Sequence, residues 1–146
     1  MLTLTNLMGA VVADVYFATC ILIFVFRLRG KTQISHAIGY FQMVLALPLL
    51  YLFWQALGLE RPVLYFIQIG LMLAFILVAT LLDYVLQLEF RKVRWSVISY
   101  VVFFFAATGG MVGVVATAGP LWTLFAAVLF FIMAALAFVQ RAVTGL

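Results

Sequence analysis

Two carboxylates stand in apolar surroundings, and theirs is the chemistry in this chain that asks for an explanation. Asp14 lies in "AVVADVYFATCILIF", with Tyr16 and Thr19 as its nearest polar neighbours. An aspartate at the centre of a membrane helix costs about 2.5 to 3.5 kcal/mol on insertion scales, so it is expected to face a bundle interior, neutral or paired. Candidate partners are Gln42, Gln68, Tyr51, Thr108, Thr117 and the carbonyl of Val44, whose helical donor is lost because Pro48 has no N–H. Two roles fit these residue types: a hydrogen-bonding staple between helices, or a proton or cation site in a pathway.

Asp83 opens a different pattern. In "LLDYVLQLEFRKVRW" helical spacing puts Thr80, Asp83, Gln87, Arg91 and Arg94 on one polar stripe and Leu82, Leu86, Phe90 and Val93 on an apolar one. About six residues inside the end of an apolar run, Asp83 sits roughly 9 Å below a membrane surface. It is expected either to bond Thr80, Gln87 or a basic residue such as Arg29 or Lys31, or to line a polar cavity that takes a proton or cation.

The remaining reactive inventory is thin. His36 is the one histidine and Cys20 the one cysteine, so a single chain offers neither a disulfide nor a bis-histidine haem site nor a three-ligand zinc site. The chain has no Gly-rich phosphate loop, no GxSxG and no HExxH. No cofactor, no metal and no catalytic residue are expected, which leaves a membrane enzyme acting on lipid or quinone as the minor alternative to a non-enzyme.

Composition dictates where these residues must live. With 69% hydrophobic and 8% charged residues and a mean hydropathy of +1.33, the chain cannot cover a water-soluble surface. A hydrocarbon core about 30 Å thick takes roughly 20 apolar residues per helix. Laid along the 146 residues, that ruler predicts one all-α domain of five transmembrane helices, at about 6–26, 35–57, 63–88, 96–118 and 121–139. The first ends at "RLRGK", the second at "GLERP" before Pro62, and the fourth and fifth are split at "AGP", a turn short enough to make them antiparallel neighbours. Continuous apolar runs without alternation exclude a β-barrel. The amino-terminal segment lacks the basic start of a secretory signal and is expected to be a retained first helix.

Charge gives the orientation. Arg27, Arg29 and Lys31 follow the first span, Arg91, Lys92 and Arg94 the third, and Arg141 the fifth, so seven of the eight basic residues fall on one side. Positive loops resist translocation, which predicts an outside N-terminus and a cytoplasmic C-terminus in a plasma membrane, of the bacterial or archaeal cytoplasmic kind. The basic loops are expected to meet anionic lipid headgroups, not nucleic acid. Trp54, Trp95 and Trp122 fall at predicted interfaces.

Two further features concern packing. Pro48 is expected to kink the second helix, with Tyr51 and Gln55 one turn apart in its outer half. In the fourth helix "ATGGMVGVVATAG" spaces Gly109 and Gly113 as GxxxG, and Ala106, Gly110 and Thr117 extend the small face, which suits close approach of another helix within the chain or across an oligomer. Together these residues point to a structural or accessory subunit assembling with itself or within a larger membrane complex. The alternative is a small oligomeric proton- or cation-coupled carrier or channel using Asp14 and Asp83.

Overall fold

The computed structural model describes residues 2–58, 62–81 and 94–144. All their regular structure is helical: α1 (Leu2–Leu28), α2 (Thr32–Val44), α3 (Ala46–Gly58), α4 (Val63–Thr80), α5 (Arg94–Ala116) and α6 (Pro120–Thr144). Among the described residues five stretches are long and apolar enough to cross a membrane, with α2 and α3 together forming one of them, Gln33–Gly58. The fold is an all-α bundle of five membrane-length segments.

The second segment breaks where its backbone runs short of donors. Pro48 cannot donate to the carbonyl of Val44. The chain tightens there: the N–H of Leu45 is shared between the carbonyls of Phe41 (3.3 Å) and Gln42 (3.1 Å), and Leu49 N–H returns to Leu45 O at 3.3 Å. The expected kink at Pro48 is thus a break at Leu45, one turn earlier, because a proline disturbs the carbonyl four residues before it.

Two turns use glycine for its backbone freedom. Gly30 (φ 73°) ends α1 in a Schellman motif, its N–H on Arg27 O at 3.1 Å and the Lys31 N–H on Phe26 O at 2.8 Å. Gly119 (φ 132°) reverses the chain between α5 and α6, where Pro120 takes the first helical position and Thr123 closes the turn by donating from Oγ1 to Gly119 O at 2.8 Å.

α1 is the central helix. It packs on α6, α2, α5 and α3, and half of its apolar window is buried, against 28% or less in every other segment. Ala10, Ala13, Phe17 and Cys20 form its inward face. The α1–α6 and α4–α5 pairs are the most extensive contacts. Phe75 of α4 joins the latter pair, with ring centroids 5.2 Å from Tyr100, 5.5 Å from Phe103 and 5.3 Å from Phe104 of α5. At the far end Asn6 Nδ2 donates to Thr117 O at 3.0 Å and ties the start of α1 to the end of α5.

Candidate functional site

Asp14 does not meet the partners its residue type called for. Both carboxylate oxygens are buried, and neither has a hydrogen-bond partner among the described residues. The expected donors are engaged elsewhere. Gln42 Nε2 donates to Thr19 Oγ1 at 2.9 Å and to Cys20 Sγ at 3.2 Å. Tyr51 accepts from Gln55 at 2.7 Å, Thr108 donates to Phe104 O at 2.8 Å and Thr117 to Val114 O at 2.6 Å. Gln68 sits instead against the glycines of α5.

The position of Asp14 on α1 is informative. At 100° per residue it lies about 20° from Leu7 and about 40° from Ala18. Leu4, Leu7, Val11, Ala18 and Leu22 are all exposed and form the outward side of this helix. Asp14 is partly exposed and stands at the edge of that stripe. The opposite side of α1 carries the polar set that is satisfied: Thr19 donates to Tyr16 O at 2.7 Å and receives Gln42.

A second site gathers at the end of the bundle where Arg27 and Arg141 stand. A cavity of about 210 Å³ opens there between the last turns of α1, α4 and α6 and the first turns of α2 and α5. Arg27, Arg141, Gln140 and Ser35 line it toward that end, and Phe24, Phe75, Phe104, Phe105 and Phe138 line much of the rest. Tyr16, Cys20 and Gln42 also line it. Since Tyr16 precedes Arg27 by three helical turns, the lining extends about 16 Å along α1. Gln140 and Ser35 are 2% and 5% exposed, so they are interior groups although they sit near helix ends.

Each of these side chains is placed by its element. The Schellman turn at Gly30 stops α1 so that Arg27 lies in its last turn. In α6 the buried residues Ala126, Met133 and Gln140 recur every seventh position, a stripe that packs inward and carries Gln140 into the bundle. Sequence reasoning ended the fifth span at 139 and so left Gln140 and Arg141 in a tail. The seven-residue recurrence of Ala126, Met133 and Gln140 was the signal that would have extended it.

Other predicted positions divide. Thr80 lies on the cavity wall. Asp83, Gln87, Arg91 and Lys92 fall outside the described residues, Arg94 opens α5, and Arg29 and Lys31 are exposed beside the Gly30 turn. The small-residue face of α5 splits into two. A side chain at Gly113 would collide with the Gln68 amide, and one at Gly110 would stand 3.6 Å from the Gln68 Cα, so this pair serves α4 within the chain. Gly109 and Ala106 face outward, with open space beside Gly109. GxxxG spacing does not distinguish these cases, because Gly109 and Gly113 differ by about 40° around the helix and the α4 contact falls on only one side.

The fold holds five helical segments long and apolar enough to cross a membrane, with a carboxyl unpartnered among the described residues on one face of the central helix and a cavity lined in part by Arg27 and Arg141 on another. No protein-family model matches the chain, nor does any curated protein or solved structure.

Proposed function

We propose that this protein is a non-catalytic membrane subunit that assembles with a second copy of itself through the outward side of α1, with Asp14 at the edge of the contact. The observation that carries this reading is the absence of any partner for the two Asp14 oxygens among the described residues. An unpaired polar group in an apolar medium costs several kcal/mol, roughly, and such groups in membrane helices mark contacts that complete them. Leu4, Leu7, Val11, Asp14 and Ala18 follow the alternating three- and four-residue spacing of a helix-pairing seam, and a single polar residue in such a seam fixes register and oligomer state. A neutral carboxyl is both donor and acceptor, so two copies related by a two-fold axis satisfy each other once a χ1 rotation turns the partly exposed side chain outward. The same reading places the Arg27–Arg141 end at the cytoplasmic face of a bacterial or archaeal plasma membrane, by the positive-inside rule.

Single cysteines in a Cys20→Ser background test assembly and orientation together. In native membranes, cysteines at Leu7, Val11 and Ala18 should form disulfide-linked dimers on mild oxidation, while those at the outward positions Val102 and Phe131 should not. In intact cells an impermeant thiol reagent should label Gly119→Cys and spare Gly30→Cys. Equal cross-linking at all positions, or a seam adduct with a different protein, would remove the self-assembly reading.

A second reading, the small carrier, draws on the cavity, because Thr80 of the Asp83 stripe lies on its wall. Against it, Asp14 is not among the cavity's lining residues and lies on the other side of α1 from Tyr16 and Cys20. Proton or cation flux in proteoliposomes that Asp14→Asn abolishes would put the carrier in first place.

A further inference from the structure

We infer that the inner part of the cavity, beside Gln42, binds a compact neutral aromatic molecule with one hydrogen-bond donor, of the phenol or indole kind. The donor meets Gln42 Oε1 and the ring lies among the phenyl groups of α1, α4 and α5. Nearly all the polar atoms at this level are already used. Gln42 commits its N–H groups to Thr19 Oγ1 at 2.9 Å and Cys20 Sγ at 3.2 Å. Thr19 gives its own hydrogen to Tyr16 O at 2.7 Å, and the Tyr16 hydroxyl bonds Cys20. Turning the Gln42 amide over would therefore set an oxygen against a hydroxyl that has no hydrogen left to give, which fixes the direction of the carboxamide. What remains is Oε1, an acceptor with no partner among the described residues, on a side chain that lines the cavity. A guest that brings a single donor completes it.

The walls select a ring. Phe24, one turn beyond Cys20 on α1, meets Phe104 of α5 with centroids 6.4 Å apart and planes at 77°. Phe104 in turn meets Phe75 of α4 at 5.3 Å and 60°, and Phe105 at 5.3 Å and 69°. Rings tilted against one another present edges and faces side by side, so a flat aromatic guest finds edge-to-face partners that an alkyl chain lacks. Volume sets the scale. An apolar cavity of about 150 Å³ holds one benzene, so this one, of about 210 Å³, takes one ring with its donor and a short side chain. Tyr16, Cys20, Gln42 and the phenyl groups carry no charge, so a neutral guest loses least hydration on entering. An apolar body with one placed polar group is the common composition of a small-molecule site. This one lies across α1 from Asp14 and does not depend on the assembly proposed above.

The test uses the full chain in nanodiscs of phosphatidylcholine and a photoactivatable phenol bearing a diazirine para to the hydroxyl. It should label the protein saturably, on peptides bearing Phe75 or Phe104. Competitors are compared at equal concentration in the bilayer. Para-propylphenol should displace the label, and its methyl ether, which keeps the ring and loses the donor, should be weaker by about fivefold, the worth of one neutral hydrogen bond. Para-propylcyclohexanol, which keeps the donor and loses the aromatic ring, should be weaker by about threefold. Indole displacing the label better than the phenol would make the donor a ring N–H, and the reverse order a hydroxyl. Gln42→Leu should bring the phenol down to the level of its ether and leave the ether unchanged. Should that variant lose its fold, Val101→Phe, which adds a ring to the cavity wall and keeps Gln42, must abolish saturable labelling. Equal competition by phenol and ether, equal competition by benzyltrimethylammonium, or full labelling of Val101→Phe would each overturn the assignment. So would the absence of any saturable label, the result expected of a cavity that holds water only.

Discussion

Thr19 and Asp14 sit little more than one turn apart on α1, yet their polar atoms end in opposite situations. The Thr19 hydroxyl donates to Tyr16 O and accepts from Gln42, so its side of the helix is a closed polar set beside the cavity that Tyr16 and Gln42 line. Asp14 has two buried oxygens and no partner among the described residues. In an apolar solvent a polar side chain is stable only when its bonds are made inside the bundle or reserved for something that docks on it. On the assembly proposed above, the difference between the two faces separates what holds one chain together from what the chain holds ready for another.

Variants on the two sides should consequently move different observables. The largest effect is expected from Phe75→Ala, which removes the ring that Tyr100, Phe103 and Phe104 surround and should cost about 3 kcal/mol of stability, read as a lower Tm of the purified monomer. Unchanged stability would mean that the aromatic cluster does not join α4 to α5. Next comes Asp14→Leu, which should leave the monomer's Tm unchanged or raised and weaken the dimer by about 1 to 3 kcal/mol, measured by dilution in bilayers, whereas Asp14→Asn should keep most of the dimer. A fall in the monomer's stability would reveal a partner within the chain and erase the contrast between the faces. The smallest effect belongs to Gln42→Leu, which loses the bonds to Thr19 and Cys20 and should cost about 1 kcal/mol in the monomer with no change in dimer affinity.

The segments were legible in the sequence because their signals are one-dimensional. "RLRGK" and "AGP" ended helices through the positive φ of Gly30 and Gly119, and five apolar runs of membrane length became five membrane-length helical segments. Which face of each helix turns inward was much less legible. A soluble helix declares its inner face by apolar residues and its outer face by charge. Segments such as "VLYFIQIGLMLAFILVAT" are apolar all round, so the inward choice of Tyr65, Ile69, Met72 and Phe75 over Leu64, Ile67 and Leu77 is made by packing alone. The same lack of contrast hid the division of labour between Gly109 and Gly113. It also left Asp14 with a list of donors, none of which reaches it, because a partner chosen from residue type carries no knowledge of azimuth.

The pairing of α1 with α6 bears on how the protein is made. These are the first and last of the described helices, and they share one of the two most extensive contacts in the bundle. Chains are inserted in order, and contacts between distant segments form late. On the membrane reading, the surface of α1 that α6 covers has, until α6 is made, only lipid, α5 or an assembly factor to cover it. On that reading closure of the bundle is a late event, and a ribosome stalled before position 120 should leave a partial bundle whose central helix still lacks that cover.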